Sequence, residues 1–356
     1  MAKIVVTGAG SAQSNGVINC LLEDKEDEII GFGSDVFDLM LCNAHKKYLV
    51  PHSRSLEYKE KLLSLLSEIK PDMIHFQHDL ELYIALKFKD EIEALGIKLF
   101  VPDSNTIETC VYKYKSWEKF KNAGIVVPEN IVINNSDDLK KSFEKLGNQD
   151  GTVWFRSMSI GGGGKGSFPT NDYDEAYEWI NKHNGWGDFV AAELLTDKSV
   201  TWLSIWNKGE LVVGQTRIRK GWAHSALSVS GVTGVTKIGE TFSDKLVDEV
   251  AMNSVKAVSK IPHGIYGVDM TYDKNGIPNP TEINISRFFT TIEFFAQAGL
   301  NMPLILKNLC LYEKTPDLSS KLNPLKNGLL WLRGMDCKPK LTTYEEIEKE
   351  IIGAKF

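Results

Sequence analysis

From Lys3 to Val101 the chain alternates short apolar runs with longer segments of helical spacing, and this alternation narrows the fold more than any other feature. Ile4–Thr7, Glu28–Gly33, Met73–Phe76 and Lys98–Val101 read as strands. A helix starts within Gly16–Leu22, and Leu56–Ile69 and Leu80–Leu95 have helical periodicity. Strands separated by helices predict a parallel sheet covered on both faces, here ending near Asp103–Thr109.

The pattern then changes. A helix is expected over Lys113–Ala123, stopped by Gly124, before the extended Val126-Val127-Pro128. A smaller α+β unit follows, with strand Thr152–Phe155, loop Ser157–Gly166 and helix Asp174–Lys182. Strands Phe189–Leu195 and Val200–Trp206 precede a hairpin turn at Asn207-Lys208-Gly209. Beyond it come helix Lys245–Ser259, strands Tyr266–Tyr272 and Pro280–Ile285, and helix Thr291–Ala298. A strand at Leu329–Arg333 and a helix at Tyr344–Ile352 close the chain. At roughly 150 residues per domain, the length implies two or three domains.

Net charge of -6 and the absence of a basic run argue against a nucleic-acid partner. No apolar stretch approaches the roughly 20 residues that span a bilayer, so no membrane partner is expected. Lys3–Gly8 reads as a buried strand running into a glycine turn rather than a signal peptide. Cys20, Cys42, Cys110, Cys310 and Cys337 are scattered and form no C-x-x-C pair, so neither zinc nor disulfides are expected. The expected location is the cytoplasm.

Three features carry chemistry. Gly161-Gly162-Gly163-Gly164-Lys165-Gly166 is a run whose bare backbone N–H groups suit a phosphate chain, although a surface loop has the same composition. It is not a Walker A loop, because Ser159 and Gly166 stand where a Gly and a Ser or Thr are required. The second feature is Asp269 with Glu282 and Asn284. Residues two apart on a strand share a face, so Glu282 and Asn284 project together, and Asp269 lies on the partner strand. Two carboxylates and an amide oxygen suit magnesium that also touches phosphates. Apolar flanking residues disfavour the alternative of a hairpin face in water. The third feature is a cationic set, Lys113, Arg156, Arg217, Arg219 and Arg287. Arg217 and Arg219 share a strand face. Phosphoryl transfer needs metals, cations and backbone donors together.

Taken together, these residues resemble the ATP-grasp superfamily, especially its carbamoyl-phosphate-synthase large-subunit-like branch, over residues 1 to 312. The most specific match is Gly267-Val268-Asp269-Met270 with Thr281-Glu282-Ile283-Asn284-Ile285-Ser286-Arg287, followed by Ala298-Gly299-Leu300-Asn301-Met302-Pro303. The family usually has Asn-Pro-Arg where this chain has Asn-Ile-Ser-Arg, one residue longer. The resemblance implies an N-terminal Rossmann-like domain (1–108), an ATP-grasp lid subdomain (109–192) and a C-terminal catalytic subdomain with tail (193–356). It implies that Asp269, Glu282 and Asn284 hold magnesium, or manganese, on ATP. By the same match Lys113 and Arg156 contact phosphates, beneath a lid formed by Gly162, Gly163, Gly164 and Lys165. Glu193, Leu194 and Leu195 match the segment that reads the adenine edge, while the usual ribose-binding Glu is replaced near Ser199. Arg287, Arg217 and Arg219 would neutralise the transferred phosphate or a substrate carboxylate.

The implied activity is ligation of a carboxylate to an amine through an acyl phosphate, by an enzyme that is often a homodimer. Segments 220–225 and 228–234 are expected to shape the substrate pocket, with His224 in a binding or structural role. Two alternatives share the fold: a kinase that stops at phosphorylation, and a regulatory ATP-binding subunit. A dehydrogenase reading rests on Gly8-Ala9-Gly10 and Asp35. It fails because Gln13 stands at the third glycine of the dinucleotide fingerprint.

Overall fold

The computed structural model describes residues 1–158, 166–223, 230–231, 235–334 and 340–350. Four parallel strands, β1 (Lys3–Val6), β2 (Glu28–Gly33), β3 (Lys46–Leu49) and β4 (Met73–His75), form a sheet in the order β3-β2-β1-β4. The sequence reading places the fourth strand wrongly. Lys98–Val101 makes only an isolated bridge between Lys98 and Met73. Beyond Lys98 its residues turn into the cores, Phe100 to one side and Val101 to the other, and Pro102 brings no N–H to extend a ladder. The fourth strand is β3, whose Lys46 and Lys47 hide it from a search for apolar runs. Exposed lysines are typical of a sheet edge, where they discourage pairing with other chains.

The second sheet is antiparallel, with order β5-β8-β6-β7 and strands β5 (Asn130–Ile133), β6 (Val153–Ser157), β7 (Phe168–Thr170) and β8 (Phe189–Glu193). Helices Ser136–Leu146 and Tyr173–Lys182 cover it through Leu139, Ala176 and Ile180, which join Phe155 and Phe189 in a separate small core.

The third sheet has seven antiparallel strands: β9 (Ser199–Asn207), β10 (Glu210–Trp222), β11 (Thr236–Phe242), β12 (Gly264–Tyr272), β13 (Pro278–Ile285), β14 (Leu330–Leu332) and β15 (Lys340–Thr342). Their order is β13-β12-β9-β10-β11-β14-β15. The β9–β10 hairpin turns at Lys208 and Gly209, at φ of 50° and 94°, the two left-handed positions that a tight two-residue turn requires. One sheet face carries Val200, Trp202, Val268 and Met270 into a core shared with the helix Lys245–Val258. Trp202 lies flat across Gly214, where a Cβ would come within 2.5 Å of its ring, and its indole donates to Asp248 at 2.9 Å.

The opposite face positions the site. Along β9 it reads Ile205, Leu203, Thr201, Ser199, and along β10 Val213, Gln215, Arg217, Arg219. Along β12 it reads Ile265, Gly267, Asp269, Thr271. Register aligns these into rows, apolar at one end and polar at the other, the change coming one row earlier on β10, at Gln215. The apolar end joins Phe288, Ile292, Phe294 and Trp331 in a second core. The polar end faces the turns that follow β1 and β4. No helix among the described residues is long and apolar enough to cross a membrane.

Candidate active site

Register places Glu282, Asp269, Thr201 and Arg217 in one row across β13, β12, β9 and β10. Residues directly opposite in antiparallel strands share a face, so the row converges on one surface. Thr201 is its hub. Its hydroxyl donates to Asp269 Oδ1 and accepts from Arg217 Nη2 at 3.0 Å and Arg219 Nη2 at 3.4 Å. Asn284 Nδ2 donates to Asp269 Oδ2 at 2.9 Å, and Arg287 Nη2 donates to Asn284 Oδ1. Lys113 Nζ, at the start of helix Lys113–Asn122, is ion-paired with Glu282. Arg156 of β6 donates to the Thr281 carbonyl at 3.4 Å, which ties the second sheet to β13 beside Glu282.

These contacts set the charge states. Burial works to raise the Glu282 carboxyl, but Lys113, Arg287 and Arg156 outweigh it and hold it at about 2. Arg217 is 2% exposed; burial first, and then the neighbouring Arg219, bring its guanidinium down to about 9 against the pull of Asp269. Burial also lowers Arg219 and Arg156, while Asp269 and Glu282 counter it at Arg219 and Glu282 alone counters it at Arg156. Arg217 Nη1 donates to Thr291 Oγ1 at 2.6 Å, and its plane lies 4.4 Å from the Phe289 ring centre. Arg219 donates to Ser199 and Thr236, both at 3.1 Å, and its guanidinium sits 3.9 Å from the Trp222 ring centre.

Arg287 reaches between sheets. Its Nε lies 3.6 Å from Asp79, just beyond β4, and its Nη1 donates to Gln13 at 3.4 Å. These partners follow β4 and β1, the neighbours at which the strand order reverses, where open parallel sheets bind ligands.

The fold is shared with known structures. Carboxyaminoimidazole ribonucleotide synthase from Aspergillus clavatus, complexed with ATP, matches at TM-score 0.69 and 16% identity over 93% of this chain and 81% of that one. The chain has the ATP-grasp fold. L-amino acid ligase from Bacillus licheniformis matches at TM-score 0.67 and 15% identity, over 93% of this chain and 79% of that one. A biotin carboxylase–β-γ-ATP complex from Campylobacter jejuni matches at 0.68 and 15%, over 94% and 76%. No family model and no curated protein matches the sequence.

Within the ATP-grasp fold, Asp269, Glu282, Asn284, Lys113, Arg156, Arg217, Arg219 and Arg287 come together around one row. Gly162, Gly163, Gly164 and Lys165 lie outside the described residues, as does His224. The loop is anchored at both ends. Ser157 donates to Asp188 at 2.6 Å, and the Gly166 carbonyl accepts from Trp179 at 3.4 Å. Glu193 ends β8, and its amide donates to the Glu129 carbonyl at 3.2 Å. The amides of Leu194 and Leu195 donate to no protein group among the described residues. Asp35, the acid of the dehydrogenase reading, caps the helix Val36–Met40 by accepting from the amides of Phe37 and Asp38. Gly10, at φ 100°, lets that helix approach, since a Cβ there would sit 2.3 Å from Asp38 backbone.

Sequence reasoning missed Thr201, Thr291, Gln13 and Asp79. The polar ends of the β9 and β10 faces were a usable signal for Thr201. Asp79 and Gln13 lie 208 and 274 residues from Arg287, and no local pattern links them.

Proposed function

We propose that this chain is an ATP- and magnesium-dependent ligase that activates a carboxylate as an acyl phosphate and couples it to an amine. The observation that carries the reading is the Glu282–Asp269–Thr201–Arg217 row, with Lys113, Arg156 and Arg287 closing round it in an ATP-grasp fold. The names of the matching structures, a synthase with ATP, an amino acid ligase and a biotin carboxylase, support the same class.

The donor set fits a magnesium ion, or a manganese ion. Such ions take one or two carboxylates and leave further positions for water and phosphates. Asp269 and Glu282 face each other across β12–β13, and Asn284 adds an amide oxygen. Bound there, the metal would neutralise charge on the transferred phosphate. Glu282 is ionised through the physiological range, as a ligand must be. Lys113 and Arg156 would grip phosphates, with Gly162, Gly163, Gly164 and Lys165 as the lid. Leu194 and Leu195 would read the adenine edge, with the Glu193 carbonyl beside them.

A substrate carboxylate oxygen attacks the γ-phosphorus, and the bond to the ADP oxygen breaks. Arg287, Arg217 and Arg219 hold the charge of the transferred group. They are fixed by Thr201, Thr291, Ser199 and Asp79, so little reorganisation is needed as charge moves. The amine nitrogen then attacks the acyl carbon, the C–O bond breaks, phosphate leaves and the nitrogen gives up a proton. A closed lid excludes water from the intermediate.

The test is oxygen transfer. With substrate carboxylate labelled with ¹⁸O, one label appears in the released phosphate for each amide formed. Product formation with unlabelled phosphate contradicts the acyl phosphate. ADP release with a stable phosphorylated product and no need for amine identifies a kinase.

A further inference from the structure

A cavity of about 330 Å³ opens beside the Arg217–Thr291 contact. It lies between the turn after β1, represented by Gly10 and Ala12, and the segment around Thr291 that follows β13. That volume suits a small metabolite. Its lining holds two charges of opposite sign, Glu293 and Arg333, and the apolar Trp331.

Both charged groups are half-buried, and no ion pair joins them among the described residues. Glu293 Oε1 accepts one hydrogen bond, from Asn19 at 3.0 Å. Arg333 makes one long contact, from Nη1 to the Thr290 carbonyl at 3.4 Å. Burial raises the Glu293 carboxyl and lowers the Arg333 guanidinium; their mutual attraction offsets this only in part, so a ligand's counter-charge would relieve the cost that remains. A ligand with a single charge would satisfy one wall and leave the other. One that carries an anion and a cation a few bonds apart satisfies both. The carboxylate end is favoured toward Ala12 as well, because Ala12 opens the ten-residue helix Ala12–Leu21 with its positive dipole end.

We propose that this cavity binds a free amino acid as its zwitterion, the carboxylate on Arg333 and the ammonium on Glu293. Its role as a substrate site rests on the ligase reading; the binding does not. Thr291 joins the cavity to the site, since it lines the cavity and accepts from Arg217. The cavity therefore adjoins the row through Thr291.

The experiment is calorimetric titration of the full chain without nucleotide. The probes are L-alanine, L-leucine and L-phenylalanine, each with its deaminated acid and its decarboxylated amine. At least one amino acid is expected to bind at least tenfold more tightly than both of its analogues. Arg333→Met should weaken that amino acid at least tenfold and leave the matching amine unchanged. Glu293→Gln should weaken it similarly and leave the matching acid unchanged. Absence of binding by all three amino acids, analogues that bind as tightly, or unchanged affinity in both variants would overturn the proposal. Should a variant fail to fold, the analogue comparison on the unaltered chain still decides. ATP binding measured in parallel tests the ligase reading separately: its loss in the unaltered chain leaves the zwitterion result standing on its own.

Discussion

Arg217 is a guanidinium enclosed in protein, and its surroundings do not make it comfortable. Its Nε has no partner among the described residues, a second arginine lies beside it, and burial is the main force lowering its pKa. A buried charge of this kind is poor evidence for stability and better evidence for function. Arg217→Met is expected to keep or raise the melting temperature while lowering ATP turnover by about a thousandfold. Thermal denaturation and ADP release on the same preparation check both halves, and retained turnover would remove Arg217 from the mechanism. The Glu282–Lys113 pair makes a prediction with pH. The folded Glu282 titrates at about 2, below the ordinary 4.5 of a free glutamate, so its contribution is complete above about pH 4.5 and is lost as pH falls through about 2. In Lys113→Met the largest attraction is gone. The stability deficit of that variant should be on the order of 1–3 kcal/mol at pH 6 and shrink as pH falls toward 2. A deficit that stays constant over that range would show that the pair is not its cause.

Among elements, the β12–β13 hairpin and the segment after it decide where Arg287 points. Ser286, just before Arg287, adopts φ 55°. Gln77 then clamps Phe288, two residues on, donating to its carbonyl at 2.8 Å and accepting from its amide at 3.2 Å. Ser286→Gly should stabilise by about 1 kcal/mol, because a left-handed position costs a side-chain residue more than glycine and the buried Ser286 Oγ has no partner among the described residues to lose. Gln77→Ala strands the Phe288 amide and carbonyl and should cost about 2–3 kcal/mol, with turnover falling as Arg287 loses its seat. Denaturant titration of both variants reads these signs, and a destabilised Ser286→Gly would contradict them. The hairpin was legible in the sequence because its metal-ligand candidates are local: Asp269, Glu282 and Asn284 flank one Asp-Lys-Asn-Gly turn. Strand β3 was not, since an edge strand rich in lysine lacks the apolar signal of a buried one. Thr201 was missed because the register of three strands, β12, β9 and β10, brings it to Asp269 and Arg217.

At the scale of the molecule, three sheets meet where polar rows of the largest one face the turns after β1 and β4. Arg156 ties the second sheet to this place and Arg287 ties the first, so one row of side chains depends on all three. The alternation of the first hundred residues made the parallel sheet readable, and the resemblance carried by the segments around Asp269 and Glu282 pointed to the ATP-grasp fold. The cavity with Glu293 and Arg333 was invisible, because its walls come from residues 10 to 15 and 290 to 333. The most direct test of the ligase reading is ADP release from ATP and magnesium across a panel of carboxylates, each with and without amines, run beside Glu282→Gln. Release that requires both an acid and an amine, and that disappears in Glu282→Gln while the variant's melting temperature holds, is the predicted result. Failure of the unaltered chain to bind ATP, or near-full turnover by Glu282→Gln, would contradict it.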